Sequence, residues 1–236
     1  MVKINNNKIY DTIVFFGSAR IKNKIEAEKV LKELDTSASE KQKNRAKKDL
    51  EMSKYYEDAR NLSNKLTKWS KNLKSKKSRY IITSGGGGGI MEAANKGATE
   101  AKGLAVGLSI SLPFEKVGNQ WITDDLEINF HYFFMRKFWF LYLAKAIVVW
   151  PGGFGTLDEL MEALTLIQTK KLRKKIPIVL FDNNYWDNVL NWDFLLDRGV
   201  ISRADLDLFK ICNTVDEAYK YLTKKIRATH LRGPNF

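Results

Sequence analysis

The chain has 236 residues, of which 44% are hydrophobic, and its formal net charge is +13. This length suits one domain with one sizeable core. The single cysteine excludes an internal disulfide and indicates a reducing compartment, so we expect a cytoplasmic protein. No apolar run is long enough to span a bilayer, and the first residues lack a signal-peptide pattern. The two histidines and one cysteine stand at unrelated positions, which argues against a zinc site.

The first predicted strand is the apolar run Thr12 to Phe16, and residues 17–19, Gly-Ser-Ala, predict a tight turn after it. Positive charge is concentrated beyond this turn, where residues 20–79 hold nineteen Lys and Arg against nine Asp and Glu. We interpret residues 20–75 as a basic helical insertion after the first strand, with its charged face in solvent. The alternative is that this face binds an anionic partner such as nucleic acid.

Two helices are predicted within the basic insertion. A shorter one covers about Ile25 to Leu34, and the cluster Asp35-Thr36-Ser37 is typical of a turn that caps the next helix. The second is long and amphipathic. The residues that fall near one stripe of this helix are Ala46, Leu50, Ser53, Leu62, Leu66, Trp69 and Leu73.

Five consecutive glycines, Gly85 to Gly89, follow a predicted strand at Tyr80 to Thr83 and precede a predicted helix at about 90–101. So many glycines carry a large entropic cost, which favours a binding loop over the alternative of a plain flexible connector. The loop lacks the lysine of a P-loop, so it is not a Walker A motif. It also lacks a dinucleotide-binding fingerprint with an acidic residue at the usual distance.

An aromatic run, His131 to Phe134, precedes Arg136 and Lys137 at the start of a helix predicted at about 134–145. This pattern fits an aromatic core helix whose basic side chains reach outward to solvent. The alternative is a binding site in which the planar guanidinium of Arg136 meets a phosphate or the edge of a base.

The sequence PGGFGTLDE, residues 151–159, lies between a predicted strand at Ile147 to Trp150 and a predicted helix at about 156–170. A glycine turn at a helix N-terminus binds anions, because its amides approach a phosphate and the helix dipole favours negative charge. The alternative is that Thr156 and Glu159 form only a capping box. Asp158 and Glu159 are adjacent on the helix and point about 100° apart, so both cannot face one ligand equally.

Short apolar strands alternate with helices along the rest of the chain, with strands predicted at 104–110, 176–181 and 208–212 and helices at about 185–197 and 215–227. This alternation predicts an α/β fold with a Rossmann-like, doubly wound parallel sheet, in one domain over residues 1–236 that includes the helical insertion. All three glycine turns follow strands, so we expect them to converge on one cleft at the carboxyl ends of the sheet.

The motifs SGGGGGIMEAANKGA, HYFFMRK and PGGFGTLDE, in this order, resemble the LOG family of cytokinin-activating phosphoribohydrolases, many of which carry the label "possible lysine decarboxylase". The resemblance covers about residues 10–225 and is greatest to the longer bacterial branch. Gly88 stands where that branch usually has proline. Phe134 and Met135 stand where short members often have histidine and glutamate.

This resemblance implies hydrolysis of the N-glycosidic bond of a nucleoside 5′-monophosphate, AMP or an N6-substituted AMP, without cofactor or metal, in a homodimer or larger homo-oligomer. It implies that Arg136 and Glu159 are catalytic, Glu159 at the ribose and Arg136 at the base. The implied substrate-binding residues are Gly17, Ser18, Gly86, Gly87, Gly89, Met91, Lys137, Gly152, Gly153, Gly155, Thr156 and Asp158.

Two other functions were weighed against this enzyme. A decarboxylase using pyridoxal phosphate needs a Schiff-base lysine and a partner for the pyridine nitrogen, and the sequence offers no such context. A non-catalytic nucleotide-binding sensor or nucleic-acid-associated module would use the same cleft together with the basic insertion. We expect no membrane partner. The intact Arg136 and Glu159 favour the enzyme, and the basic insertion is the one feature that favours nucleic acid.

Overall fold

The computed structural model of the chain describes residues 6–35, 37–73, 80–110 and 118–229. Within these residues, seven strands form one sheet, and every neighbouring pair of strands is parallel. The strands are β1 (Thr12–Phe16), β2 (Ile81–Ser84), β3 (Ala105–Ile110), β4 (Glu127–Phe130), β5 (Ala144–Val149), β6 (Ile178–Phe181) and β7 (Phe209–Cys212). The six predicted strands are therefore all present, with ends that shift by up to three residues.

Helices connect these strands. They are α1 (Lys24–Lys32), α2 (Glu40–Lys71), α3 (Ile90–Glu100), α4 (Phe133–Leu143), α5 (Phe154–Gln168), α6 (Asn183–Val189), α7 (Trp192–Asp197) and α8 (Val215–Thr229), with a 3₁₀ helix at Arg203–Leu208. None of the helices in the described part of the chain is long and apolar enough to cross a membrane.

The sheet order β4-β3-β2-β1-β5-β6-β7 places the reversal of the chain between β1 and β5. From β1 the chain moves outward through β2 and β3 to β4, and then returns to lay β5 against the other side of β1. Ligands of such sheets bind in the crevice outside the carboxyl ends of the strands at this reversal. The fold is thus the predicted Rossmann-like, doubly wound sheet.

Each face of the sheet has its own apolar core, because successive side chains of a strand point to opposite faces. Ile13 and Phe15 pack with α2, α3 and α8, whereas Val14 and Phe16 pack with α4, α5 and α6. Cys212 is fully buried in the first of these cores.

Helix α2 is part of the first core and does not project as a separate arm. Of its predicted stripe, Ala46, Ser53, Leu62, Leu66 and Trp69 are buried. Asp35 and Ser37 lie in the turn between α1 and α2, as predicted, but they do not cap α2. Ser39 caps the helix instead, in a capping box with Gln42, while Thr36 lies outside the described residues.

Two further predictions are corrected by the structure, and one strand has no counterpart among the predictions. The helix predicted at 185–197 is two helices, because the first ends at Val189 with Leu190 as its C-cap and the side chain of Asn191 caps α7. Helix α4 ends at Leu143, before the predicted residue 145, since β5 begins at Ala144. Strand β4 was not predicted, because its sequence EINF is short, half-buried and without an apolar run.

Candidate active site

A cleft of about 1460 Å³ opens at the carboxyl ends of β1, β2 and β5, where the chain reverses. All three predicted glycine turns line it, as do Arg136 and Glu159. The expectation that these turns converge on one cleft is therefore confirmed.

The turn after β1 is hydrogen-bonded to the other two glycine turns. The Ser18 N–H donates to the carbonyl of Pro151 at 3.1 Å, and the Ser18 carbonyl accepts from the Ile90 N–H at 3.0 Å. Gly17 has to be glycine, because a Cβ there would lie 2.6 Å from the Ile90 side chain.

The five-glycine loop is ordered by specific hydrogen bonds. The side-chain amide of Asn119 donates to the carbonyls of Gly86 and Gly87, and the Ser84 hydroxyl accepts from the Gly86 N–H. Gly86 and Gly89 have φ values of +77° and +60°, which side chains rarely adopt. The loop is therefore a fixed wall of the cleft and not a flexible connector.

Helix α5 begins at Phe154, two residues before Thr156, with Gly153 as its N-cap and no side-chain cap. The capping-box alternative for Thr156 and Glu159 is therefore wrong, since Thr156 is already inside the helix. An uncapped helix N-terminus leaves amides and a positive dipole end available to an anion. A Cβ at Gly153 or at Gly155 would meet no atom within 4 Å, so the backbone there is accessible to a ligand.

Tyr185, in the first turn of α6, fixes the start of this glycine turn. Its hydroxyl donates to the Gly152 carbonyl at 2.8 Å and accepts from the Gly152 N–H at 3.2 Å. Asp182, the N-cap of α6 with φ of +78°, accepts from the Tyr185 N–H and from the Tyr55 hydroxyl. Helix α2 is thereby connected through Asp182 and Tyr185 to the glycine turn.

Arg136 and Glu159 form an ion pair, with 3.4 Å between guanidinium Nη2 and carboxylate Oε1. Their side chains are only 14% and 10% exposed. The guanidinium also lies over the ring of Phe133, 5.1 Å from its centroid. This pair therefore presents a guanidinium and a carboxylate to the same cleft.

Burial raises the pKa of Glu159 to about 7, although the charges of Lys137 and Arg136 act in the opposite direction. Lys137 Nζ lies 4.0 Å from Glu159 and 2.8 Å from both Asp158 and Glu162. Glu159 therefore changes its charge within the physiological pH range.

Most of the implied site residues line the cleft, but three do not. Those at the cleft are Gly17, Ser18, Gly86, Gly87, Met91, Arg136, Gly152, Gly153, Gly155, Thr156 and Glu159. Gly89 packs against the backbone of Ser18, where a Cβ would meet the Ser18 oxygen at 2.3 Å. Lys137 and Asp158 pair with each other on the flank of α5, where the Asp158 side chain is 59% exposed.

Several cleft residues were missed at the sequence level. Arg20, Lys22, Arg45 and Lys48 come from the basic insertion, which was interpreted as a solvated surface. Tyr185 follows β6, the neighbour of β5, and its position just beyond a carboxyl end was a usable signal.

The residues at the cleft do not fit pyridoxal phosphate. Burial lowers the pKa of Lys174 to about 7, as a Schiff-base lysine requires, but its Nζ donates to the carbonyls of Tyr142 and Ala144 at the amino end of β5. Among the described residues that line the cleft, the lysines are Lys22 and Lys48, and Lys22 is paired with Asp49. Among the described residues there is also no cluster of His, Cys, Asp or Glu suited to a metal.

The fold and the cleft together define a Rossmann-like protein with a candidate nucleotide site. A family model described as "Possible lysine decarboxylase", the LOG family, matches residues 91–222, more than half of the chain. The protein belongs to this family.

Two curated relatives have names that state an activity. The probable cytokinin riboside 5′-monophosphate phosphoribohydrolase of Oryza sativa subsp. japonica is 26% identical over 147 residues, which is 61% of this chain and 62% of that protein. The cytokinin riboside 5′-monophosphate phosphoribohydrolase of Arabidopsis thaliana is 38% identical over 60 residues, 25% of this chain and 27% of that protein. The chain thus spans about three fifths of the rice protein and about a quarter of the Arabidopsis protein.

Solved structures show the same fold at low identity. A structural-genomics target has a TM-score of 0.57 at 21% identity, covering 91% of this chain and 99% of that one. The molybdenum cofactor binding protein of Rippkaea orientalis has a TM-score of 0.54 at 16% identity, covering 92% and 97%. The molybdenum cofactor carrier protein of Chlamydomonas reinhardtii has a TM-score of 0.53 at 16% identity, covering 92% and 98%.

Proposed function

We propose that this protein is a nucleoside 5′-monophosphate phosphoribohydrolase, which hydrolyses AMP or an N6-substituted AMP to the free base and ribose 5-phosphate. The observation that carries the proposal is the position of Glu159, a buried carboxylate in the second turn of the helix whose N-terminus forms the glycine turn. The names of the two curated relatives support the same activity. Because the lone cysteine is free and buried, we place this activity in the cytoplasm.

The glycine turn binds the 5′-phosphate in this proposal. The amides of Gly153 and Gly155 and the hydroxyl of Thr156 donate to its oxygens, with the dipole of α5 favouring its charge. Each charge-assisted hydrogen bond contributes about 1.5–3 kcal/mol, so AMP should be preferred over adenosine by a few kcal/mol in kcat/KM.

The reaction breaks the bond between C1′ and the base nitrogen and forms a bond from C1′ to a water oxygen. Positive charge develops on the sugar in such a transition state, and the ionised Glu159 stabilises it from the ribose side or accepts the proton of the attacking water. Arg136 donates hydrogen bonds to the departing base. The base nitrogen keeps the electron pair of the broken bond and takes up, through Glu159 or solvent, the proton that the attacking water loses. Lys137, paired with Asp158 and Glu162, positions Glu159 without touching the substrate.

The test is incubation of the purified protein with AMP, an N6-substituted AMP, GMP, CMP, UMP and adenosine. We expect free base and ribose 5-phosphate from one or more purine monophosphates, and far slower release from adenosine. Equal cleavage of AMP and adenosine would contradict the role of the glycine turn. No cleavage of any member would contradict the proposed reaction.

A second candidate is a non-catalytic nucleotide or cofactor binder. The cleft has room for a ligand larger than a nucleoside monophosphate, since 1460 Å³ exceeds the usual range of about 300–1,000 Å³ for ligand pockets. Two structural neighbours are a cofactor-binding protein and a cofactor carrier protein, although at 16% identity they show the fold alone. This candidate predicts tight binding of a nucleotide without any release of base.

A further inference from the structure

We propose that the cleft has a second anion subsite, formed by Arg20, Lys22, Arg45 and Lys48, which binds the outer phosphate of a nucleoside 5′-diphosphate or triphosphate. The inference rests on the proposed function only in taking the glycine turn as the site of the first phosphate. We call these four residues the cationic wall.

One face of α2 supplies half of the cationic wall. Arg45, Lys48, Asp49 and Met52 are spaced i, i+3, i+4 and i+7, so they lie on the same side of the helix, and all four line the cleft. The basic residues on this face are therefore directed at the candidate active site. Lys47, the neighbour of Lys48, is exposed and does not line the cleft.

Asp49 holds two of the four cations in place. Its carboxylate pairs with Lys22 at 3.1 Å and with Arg45 at 2.8 Å, and its side chain is only 12% exposed. Among the described residues, no ion pair to a carboxylate involves Arg20 or Lys48. Four cations against one carboxylate leave this end of the cleft with a net positive charge.

The cationic wall continues from the glycine turn that binds the first phosphate. Arg20 is two residues beyond Ser18, whose N–H donates to the Pro151 carbonyl, and the Arg20 N–H donates to the Ser18 hydroxyl. A phosphate chain that starts at Gly153 and extends past Ser18 therefore moves toward positive charge.

Apart from the cationic wall and Asp49, the charged residues of the cleft have the opposite net charge, which determines the kind of ligand. Among the described residues they are Asp125, Glu127 and Glu159 against the cation Arg136. A nucleic acid strand lying along the cleft would bring phosphates against these carboxylates. A nucleoside diphosphate or triphosphate carries all of its phosphates at one end, so its charge distribution matches that of the cleft. Its outer phosphates would occupy the part of the cleft that a monophosphate leaves empty.

The experiment measures dissociation constants of AMP, ADP and ATP by calorimetry, at low salt and without divalent metal, on the full chain with Glu159→Gln present in every protein compared, so that AMP is not consumed during the titration. Exposed ion pairs contribute about 0.2–1 kcal/mol each, so we expect ADP to bind about five- to tenfold more tightly than AMP. In Arg20→Gln/Lys48→Gln the ratio of the AMP to the ADP constant should fall toward one. Lys47→Gln, the matched control, should keep the ratio of the protein with the wall intact.

A ratio near one with the wall intact, or a ratio that the double variant retains, would overturn the proposal. So would a single-stranded oligonucleotide that displaces ADP at concentrations below the dissociation constant of ADP, because the wall would then serve nucleic acid. If AMP yields no free base while the ADP preference holds, the proposed hydrolysis fails and the second subsite stands. If base release occurs and the preference is absent, only the subsite fails.

Discussion

Two adjacent carboxylates on α5 have different surroundings: one is at the protein surface and the other lines the candidate active site. Asp158 is 59% exposed and pairs with Lys137, whereas Glu159 is 10% exposed and faces Arg136. The helical angle between them was predictable from the sequence. Which of the two is buried depends on the packing of α4 against α5, which sequence spacing does not contain.

The raised pKa of Glu159 leads to a prediction about how the rate of base release depends on pH. Because burial raises this pKa to about 7, the carboxylate is mostly protonated at pH 6 and mostly ionised at pH 8. If the ionised form stabilises the sugar, kcat for AMP should rise with pH through about 7 and then level off. The rate should be measured at saturating AMP, since phosphate monoesters themselves ionise near pH 6 and would distort kcat/KM. A flat profile of kcat between pH 6 and 8 would contradict the role of the Glu159 charge.

At the scale of elements, the residue at which α5 begins decides whether Thr156 and Glu159 can form a capping box or are free to contribute to the candidate active site. The pattern Thr156 to Glu159 fits a capping box in the sequence, but such a pattern has meaning only relative to the first helical residue. The structure begins the helix at Phe154, which no spacing rule indicated. Strand β4 and the break at Asn191 were missed for a similar reason, because tertiary pairing and a cap outweighed weak local patterns.

The hydrogen bonds between Tyr185 and Gly152 lead to a prediction about how the glycine turn binds AMP. Tyr185→Phe removes both hydrogen bonds to Gly152, so the turn should lose its fixed position and the KM for AMP should rise severalfold. A net hydrogen bond contributes about 0.5–1.5 kcal/mol, so a modest loss of stability is also expected. Steady-state kinetics and thermal unfolding measure the two effects.

Tyr55→Phe is the matched control for this prediction. It removes the hydrogen bond to Asp182 and leaves the bonds between Tyr185 and Gly152 in place. We expect a comparable loss of stability with a smaller change in KM. Equal changes in KM for the two variants would mean that Tyr185 acts only through general stability.

On the scale of the whole molecule, the parallel sheet could be predicted from the sequence, because buried parallel strands are continuous apolar runs that alternate with helices. The meeting of the glycine turns followed from the same topology, since each turn comes after a strand. The role of the basic insertion did not follow, because a charged helix looks the same whether its cations face solvent or a cleft. Only the packing of α2 against α1, α3 and α8 shows which of its faces meets the site.

An exposed aromatic surface predicts self-association. Tyr132, Phe133, Phe134, Phe138 and Tyr142 are each between 49% and 66% exposed, and they lie on or beside α4. Such contiguous apolar patches mark protein interfaces, and the family resemblance implies a homodimer. We expect sedimentation velocity at micromolar concentration to show a dimer or a larger assembly.

Substitutions on and off this surface test the assignment. Phe134→Ser/Phe138→Ser should shift the protein toward monomer, whereas Phe194→Ser, a similarly exposed residue on α7, should not. A wild-type monomer at micromolar concentration would contradict the prediction. A dimer that the double substitution leaves intact would assign the interface to another surface.

The most direct test of the proposed reaction is the rate of base release from AMP by Glu159→Gln. This change keeps the size of the side chain and removes its charge, so we expect a folded protein that still binds AMP and releases base at least about a hundredfold more slowly. Glu162→Gln, one turn along the same helix and also in contact with Lys137, is the matched control and should retain the rate to within a few-fold. A folded Glu159→Gln protein that releases base at the wild-type rate would contradict the proposed mechanism and leave nucleotide binding as the function of the cleft.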